Sequence, residues 1–109
     1  MTFDEYQKAA RETAQYPDIG RNVAYPTLGL AGETGEVAER VKKMYRDDGG
    51  VLTPQRRDAL KAELGDVLWY VAALCSELGL SMKDVAEHNI RKLRDRRDRN
   101  VIKGDGDER

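Results

Sequence analysis

Two pairs of carboxylates stand out for their spacing: Glu33 with Glu36, and Glu63 with Asp66. An i, i+3 separation on a helix sets two Cβ atoms about 5–6 Å apart, so both acids of a pair can reach one point. At about 100° per residue, Glu63 and Asp66 fall on one flank of an apolar stripe made of Leu60, Leu64, Val67, Leu68, Val71, Leu74, Cys75 and Leu78. Glu33 and Glu36 occupy the matching flank of a second stripe, Leu30, Val37, Ala38, Val41, Met44 and Tyr45. If the two helices pack at about 8–10 Å, all four acids converge. Four converging carboxylates repel one another and resist desolvation unless cations join them. With no Cys or His beside them, the oxygen-only donors suit Mg²⁺, with Mn²⁺ as a second fit, and Mg²⁺ commonly binds substrate phosphates too. The competing reading makes the same acids ordinary solvated residues paired with Arg40, Lys43 or Lys61, and either pair alone is compatible with it.

A third helix supplies opposite charge. Asn89, Lys92 and Arg96 share a face near Val85, Met82 and Leu93, where two cations could meet phosphate and an amide could meet ligand or carboxylate. Lys43 joins them as a candidate phosphate contact from the helical wheel. The rest of the run from Arg91 to Arg99 is mixed in sign and suits a solvated helix end. His88 stands alone and reads as a surface or packing residue, Cys75 as core, and Trp69 and Tyr70 as packing residues or as neighbours of a base.

The elements that must position these groups are four helices, giving an all-α fold. Thr2 and Glu5 form a capping box for a helix over Phe3–Ala14, which Tyr16-Pro17-Asp18-Ile19-Gly20 ends. A second helix begins between Pro26 and Leu30 and runs to Tyr45, before the turn Asp47-Asp48-Gly49-Gly50. Gly29, Gly32 and Gly35 fall inside it, each costing about 1 kcal/mol relative to alanine. Either another group approaches the backbone closely there, or the helix starts late and Gly29 and Gly32 belong to the loop. Thr53-Pro54 opens the third helix, which Gly79 stops, and Ser81 with Asp84 opens the fourth, which ends between Arg96 and Asn100. Residues 1–100 thus form one helical domain, and 101–109 are a Gly- and Asp-rich tail that does not extend the last helix.

At these residues the sequence resembles the MazG-like all-α nucleoside triphosphate pyrophosphohydrolases. Glu33-Thr34-Gly35-Glu36 and Glu63-Leu64-Gly65-Asp66 look like their Glu-x-x-Glu and Glu-x-x-Asp signature. The segment Tyr25 to Gly32, the run Asp66-Val67-Leu68-Trp69-Tyr70, the stretch Asn89-Ile90-Arg91-Lys92-Leu93 and the closing Gly104-Asp105-Gly106-Asp107-Glu108-Arg109 are similar as well. The resemblance implies a four-helix bundle that oligomerises as a homodimer or homotetramer. It implies a nucleoside triphosphate substrate cut between its α and β phosphates, with Glu33, Glu36, Glu63 and Asp66 as Mg²⁺ ligands and catalytic acids. It further implies nucleotide or phosphate contacts at Asn89 and Lys92. Phosphoribosyl-ATP pyrophosphohydrolases carry similar acidic pairs and are the alternative within the same superfamily. A di-iron bundle wants Glu-x-x-His, and both second positions here are carboxylates. A non-catalytic helical module that docks a partner through apolar surface is the alternative outside enzymes.

Composition bounds these readings. The 19 basic and 20 acidic residues of the 109 leave a formal charge of −1, so no global field draws in a nucleic acid polymer or an anionic membrane. No apolar run approaches the roughly 20 residues of a membrane span. A start without a basic, apolar leader and a single cysteine make a cytoplasmic location the expectation. A chain this short buries about two-thirds of its unfolded surface, so covering an apolar face with another subunit would stabilise it.

Overall fold

The computed structural model describes all residues, Met1–Arg109, as four helices: α1 Phe3–Glu12, α2 Ala24–Asp47, α3 Pro54–Glu77 and α4 Met82–Asp98. Each start is local chemistry. The Thr2 hydroxyl accepts from the Glu5 N–H at 3.1 Å while the Thr2 N–H donates to Glu5 Oε1 at 2.9 Å, completing the capping box. Thr53 accepts from Arg56 N–H at 3.2 Å ahead of Pro54, and Ser81 accepts from Asp84 N–H at 3.2 Å. At the end of α3, Gly79 adopts φ +68° and the Leu80 N–H returns to the Cys75 carbonyl at 2.8 Å, closing the final turn.

Helix α2 begins earlier than the proline suggested. Asn22 Oδ1 accepts from the Tyr25 N–H at 2.9 Å, so the first turn is satisfied from outside the helix, and Pro26 sits buried where no N–H is needed. The helix then runs unbroken through all three glycines, which excludes a late start. Only Gly29 owes its identity to a neighbour. A Cβ built there would lie 2.6 Å from Tyr70 Cδ1 and closer still to Cε1 and Cζ, whereas nothing lies within 4 Å of the same position at Gly32 or Gly35.

Helices α2 and α3 form an antiparallel hairpin, α1 packs on α3, and α4 lies against α1 and α3 while α2 touches neither α1 nor α4. The chain turns by 103° between α3 and α4. The four helices therefore share no single core. What closes is a small cluster where α1, α3 and α4 meet: Ala10, Ala72, Cys75 and Met82, with Tyr6, Trp69 and Val71 against it. The radius of gyration is 16.8 Å, against about 13 Å for a compact domain of this size. Much of the two apolar stripes is consequently uncovered, Leu64 being 56% and Tyr45 67% exposed. The bundle expected from the sequence is open in the single chain, because one partner helix and a ten-residue α1 cannot sheathe a 24-residue helix that is apolar on more than one side. No single helix is long and apolar enough to cross a membrane.

Ion-pair clusters fasten the irregular segments, Arg56 with Asp48 at the turn between α2 and α3 and two larger ones elsewhere. The Glu77 carboxylate has no exposed side-chain surface and takes hydrogen bonds from Asn22 N–H at 2.5 Å, Arg11 Nη2 at 2.6 Å and Gly20 N–H at 2.8 Å. Burial alone would raise its pKa; the donors from Asn22, Arg11, Gly20 and Tyr16 outweigh burial and hold it at about 2. This acid thus ties the loop after α1 to the end of α3. At the other end, the tail after α4 folds back: the Arg109 guanidinium donates to the carbonyls of Gly106, Ile102 and Val101, and Lys92 and Arg96 reach Asp107.

Candidate metal centre

The hairpin of α2 and α3 brings one carboxylate pair opposite the other. Carboxylate oxygens of Glu33, Glu63 and Asp66 lie within 4.8 Å of one another, Glu33 and Glu63 half-buried and Asp66 exposed. Register is fixed by contacts on either side: Gly29 under the Tyr70 ring, and Arg40 of α2 donating to Glu63 Oε1 of α3 at 3.3 Å. Gly29 is four residues before Glu33, and Tyr70 is four after Asp66, so the close approach allowed by the missing Cβ lies one turn from the acids.

The electrostatics are those of crowded like charge. Burial pushes the Glu33 carboxyl above the usual range, and Asp66, Glu63 and Glu36 push it the same way. The charge of Asp66 also adds to burial in raising the Tyr6 phenol. Arg40 is the one cation in contact with the triad, and it touches only Glu63. Oxygen donors converging from two helices, short of positive charge and open on the Asp66 side, fit a hard divalent cation that keeps water ligands.

Beside the acids lies a cleft of about 330 Å³ lined by Thr13, Glu33, Asp66, Trp69 and Tyr70. Its aromatic wall is held from behind. Trp69 Nε1 donates to Thr13 Oγ1 at 2.8 Å, Trp69 stands edge-on to Tyr70 with centroids 5.0 Å apart, and Tyr25 lies 6.4 Å from Tyr70 while stacking on Tyr16 at 4.8 Å.

The remaining candidates are elsewhere. Glu36 is exposed and outside the close triad, acting on Glu33 through its charge. Lys43 lies 4.0 Å from Glu39 on its own helix. Asn89 is exposed on α4, a helix that does not touch α2. Lys92 is half-buried with Nζ 2.7 Å from Asp107 Oδ1. Arg96 points inward as its position on the wheel suggested, but the anion it meets there is internal: it is 5% exposed and its Nη2 donates to both the carbonyl and Oδ1 of Asp107. It is not free for a phosphate in this arrangement. His88 is exposed, and Cys75 is buried, its thiol pushed up by burial.

Thr13 and Asp107 were assigned no role from the sequence, and Arg40 only as a solvated partner of the acids. Arg40 carried a signal, since it falls seven residues after Glu33 and so on the same face two turns on. Asp107 lies in the closing stretch that carries part of the resemblance, but no spacing points to its partners, which are 11 and 15 residues away across irregular chain.

The chain is 49% identical to the "Gene 37 protein" of Mycobacterium phage L5 over 114 aligned positions that cover both chains completely. No solved structure matches. The family model for the MazG nucleotide pyrophosphohydrolase domain matches residues 24–101, a span that contains α2, α3, α4 and all the acids of the triad. The chain belongs to the MazG nucleotide pyrophosphohydrolase family.

Proposed function

We propose that the chain hydrolyses a nucleoside triphosphate between its α and β phosphates, releasing the monophosphate and pyrophosphate. The observation that carries the reading is the convergence of Glu33, Glu63 and Asp66 from two helices within the family-matched region. These three acids, with Glu36 one turn from Glu33, would hold Mg²⁺, or Mn²⁺ in its place. When bound, such a cation supplies charge neutralisation on the phosphates and lowers the pKa of coordinated water.

The chain's own groups supply the rest. Water adds to the α phosphorus, the bond from that phosphorus to the α–β bridging oxygen breaks, and the bridging oxygen leaves with pyrophosphate. A triad acid not needed as a ligand at that moment accepts the proton of the water. Arg40 holds the Glu63 carboxylate in place, and the Trp69–Tyr70 wall limits water in the cleft where the nucleoside end would lie. Lys92 and Asn89 would contact phosphate and nucleotide, with Lys43, farther along α2 from Glu33, as a further cation. Because α4 does not reach α2 within one chain, and because apolar side chains of α2 and α3 are uncovered, a homodimer or homotetramer is the assembly that completes the site.

The test is pyrophosphate release from a panel of common, deoxy and modified nucleoside triphosphates with and without Mg²⁺. Release from at least one, lost by a hundredfold or more in Asp66→Asn with helicity unchanged, supports the reading. Absence of release across the panel refutes it. Concentration-dependent sedimentation tests the assembly, and a strictly monomeric chain refutes that part.

A further inference from the structure

The contact between the tail and α4 has the form of an occupied anion site. Lys92 and Arg96 are one helical turn apart and so share a face. Both donate to Oδ1 of Asp107, at 2.7 Å and 3.0 Å. The two cations are the sheltered side of this contact, with Arg96 almost wholly enclosed, while the Asp107 side chain is 78% exposed. A buried guanidinium needs a counter-charge, and here the counter-charge belongs to a segment with no helix or strand, which is folded on itself by Arg109 bonds to the carbonyls of Val101, Ile102 and Gly106 and held to the helix end by Lys92 and Arg96 on Asp107 and by Arg99 on the Arg109 carbonyl. An acceptor bridging a lysine and an arginine is what a phosphate oxygen provides, with more charge than a carboxylate.

We propose that residues 101–109 are an internal competitor: Asp107 occupies the Lys92–Arg96 pair as a phosphate surrogate, and a phosphate group on that pair requires the tail to leave. The proposal rests on the assignment of Lys92 to phosphate under the proposed function and adds its regulation. Binding there is weakened by the fraction of time the tail is docked, and whatever draws the tail away activates the site. A tail docked nine-tenths of the time raises the apparent Kd about tenfold. Asp107 remains ionised throughout the physiological range, since hydrogen bonds from Lys92 and then Arg96 hold its carboxyl at about 2. The contact therefore responds to competing anions and to partners of the tail, not to ordinary changes of pH.

The experiment uses the full chain, inorganic pyrophosphate as probe, and a chelator so that the carboxylate triad takes no part. In the wild-type protein, the Gly104 and Gly106 amide resonances should move to the positions of an unstructured peptide along the same titration curve that perturbs Lys92. Asp107→Asn should bind pyrophosphate about tenfold more tightly, and Lys92→Gln in the same background should cancel the gain. Tail resonances that stay fixed at saturation, a failure of the wild-type chain to bind pyrophosphate, or an Asp107→Asn variant that binds no tighter would each overturn the proposal. If Asp107→Asn loses helicity, the wild-type titration decides alone. Tail release without hydrolysis of any nucleoside triphosphate keeps the competitor and removes the enzyme reading. Hydrolysis with a tail that never moves does the reverse.

Discussion

Replacing Gly29 with alanine should destabilise the protein, although alanine is the better helix former. Relieving the glycine penalty in a helix interior contributes about 1 kcal/mol. Against it, the new methyl would sit 2.6 Å from Tyr70 Cδ1 and nearer to two other ring atoms, where ordinary contact begins at 3.4 Å. The ring must retreat by about 1 Å, and it is not free to do so, being edge-on to Trp69 and tilted against Tyr25. Overpacking of this kind costs about 1–3 kcal/mol, and loosening two aromatic contacts adds about 0.5–1.5 kcal/mol each. The net expectation is a loss of about 1–5 kcal/mol. Gly32→Ala and Gly35→Ala meet no atom within 4 Å in the chain and should gain about 0.5–1 kcal/mol. Three identical substitutions in one helix should therefore differ in sign. Urea denaturation with equal slopes would measure the difference, and the single tryptophan, Trp69, gives a local readout: its emission should shift in Gly29→Ala and not in Gly32→Ala. A Gly29→Ala variant as stable as Gly32→Ala would refute the packing of α2 on Tyr70, and with it the register that aligns the acids. A destabilised Gly32→Ala would place another chain against that face.

Four further outcomes are expected. The Glu77 carboxyl is held at about 2, below its ordinary range, so its contribution is present above about pH 4.5 and lost as the pH falls toward 2; the stability difference between wild type and Glu77→Gln should shrink across that window, and a constant difference would contradict the assignment. Gly79→Ala should cost about 1 kcal/mol, measured by thermal unfolding, because φ is +68° and no side chain obstructs the added methyl. Chelation should abolish pyrophosphate release, with recovery on adding Mg²⁺ or Mn²⁺; activity that persists in chelator would remove the metal from the mechanism. Thr2→Ala should lower stability by about 0.5–2 kcal/mol through loss of the capping box, and an unchanged denaturation midpoint would show that the box contributes nothing.

Helix existence and starts were legible because they depend on chemistry within four residues. Thr2 with Glu5, Thr53 before Pro54, and Ser81 with Asp84 each satisfy N–H groups of their own first turn. The pairing of acids was legible for the same reason, since i, i+3 spacing puts two side chains on one face of any helix. The start of α2 is the exception: its cap is as local as the others, Asn22 accepting from the Tyr25 N–H three residues on, but Pro26 marks a later start, and the loop that presents Asn22 is pinned by Glu77 from 55 residues away.

What the amino-acid sequence determined by itself is thus four helices, two acidic pairs on matching flanks, and a family. The tertiary structure decided which acids converge: Glu33, Glu63 and Asp66 do so because Gly29 lets Tyr70 approach α2 and sets the register, leaving Glu36 at the margin. It decided that Arg96 faces Asp107 in its own tail, and that the stripes read as core are partly bare. Capping and helical periodicity act over one or two turns, whereas register, counter-charge and burial depend on segments tens of residues apart, and no local pattern encodes which of them will meet.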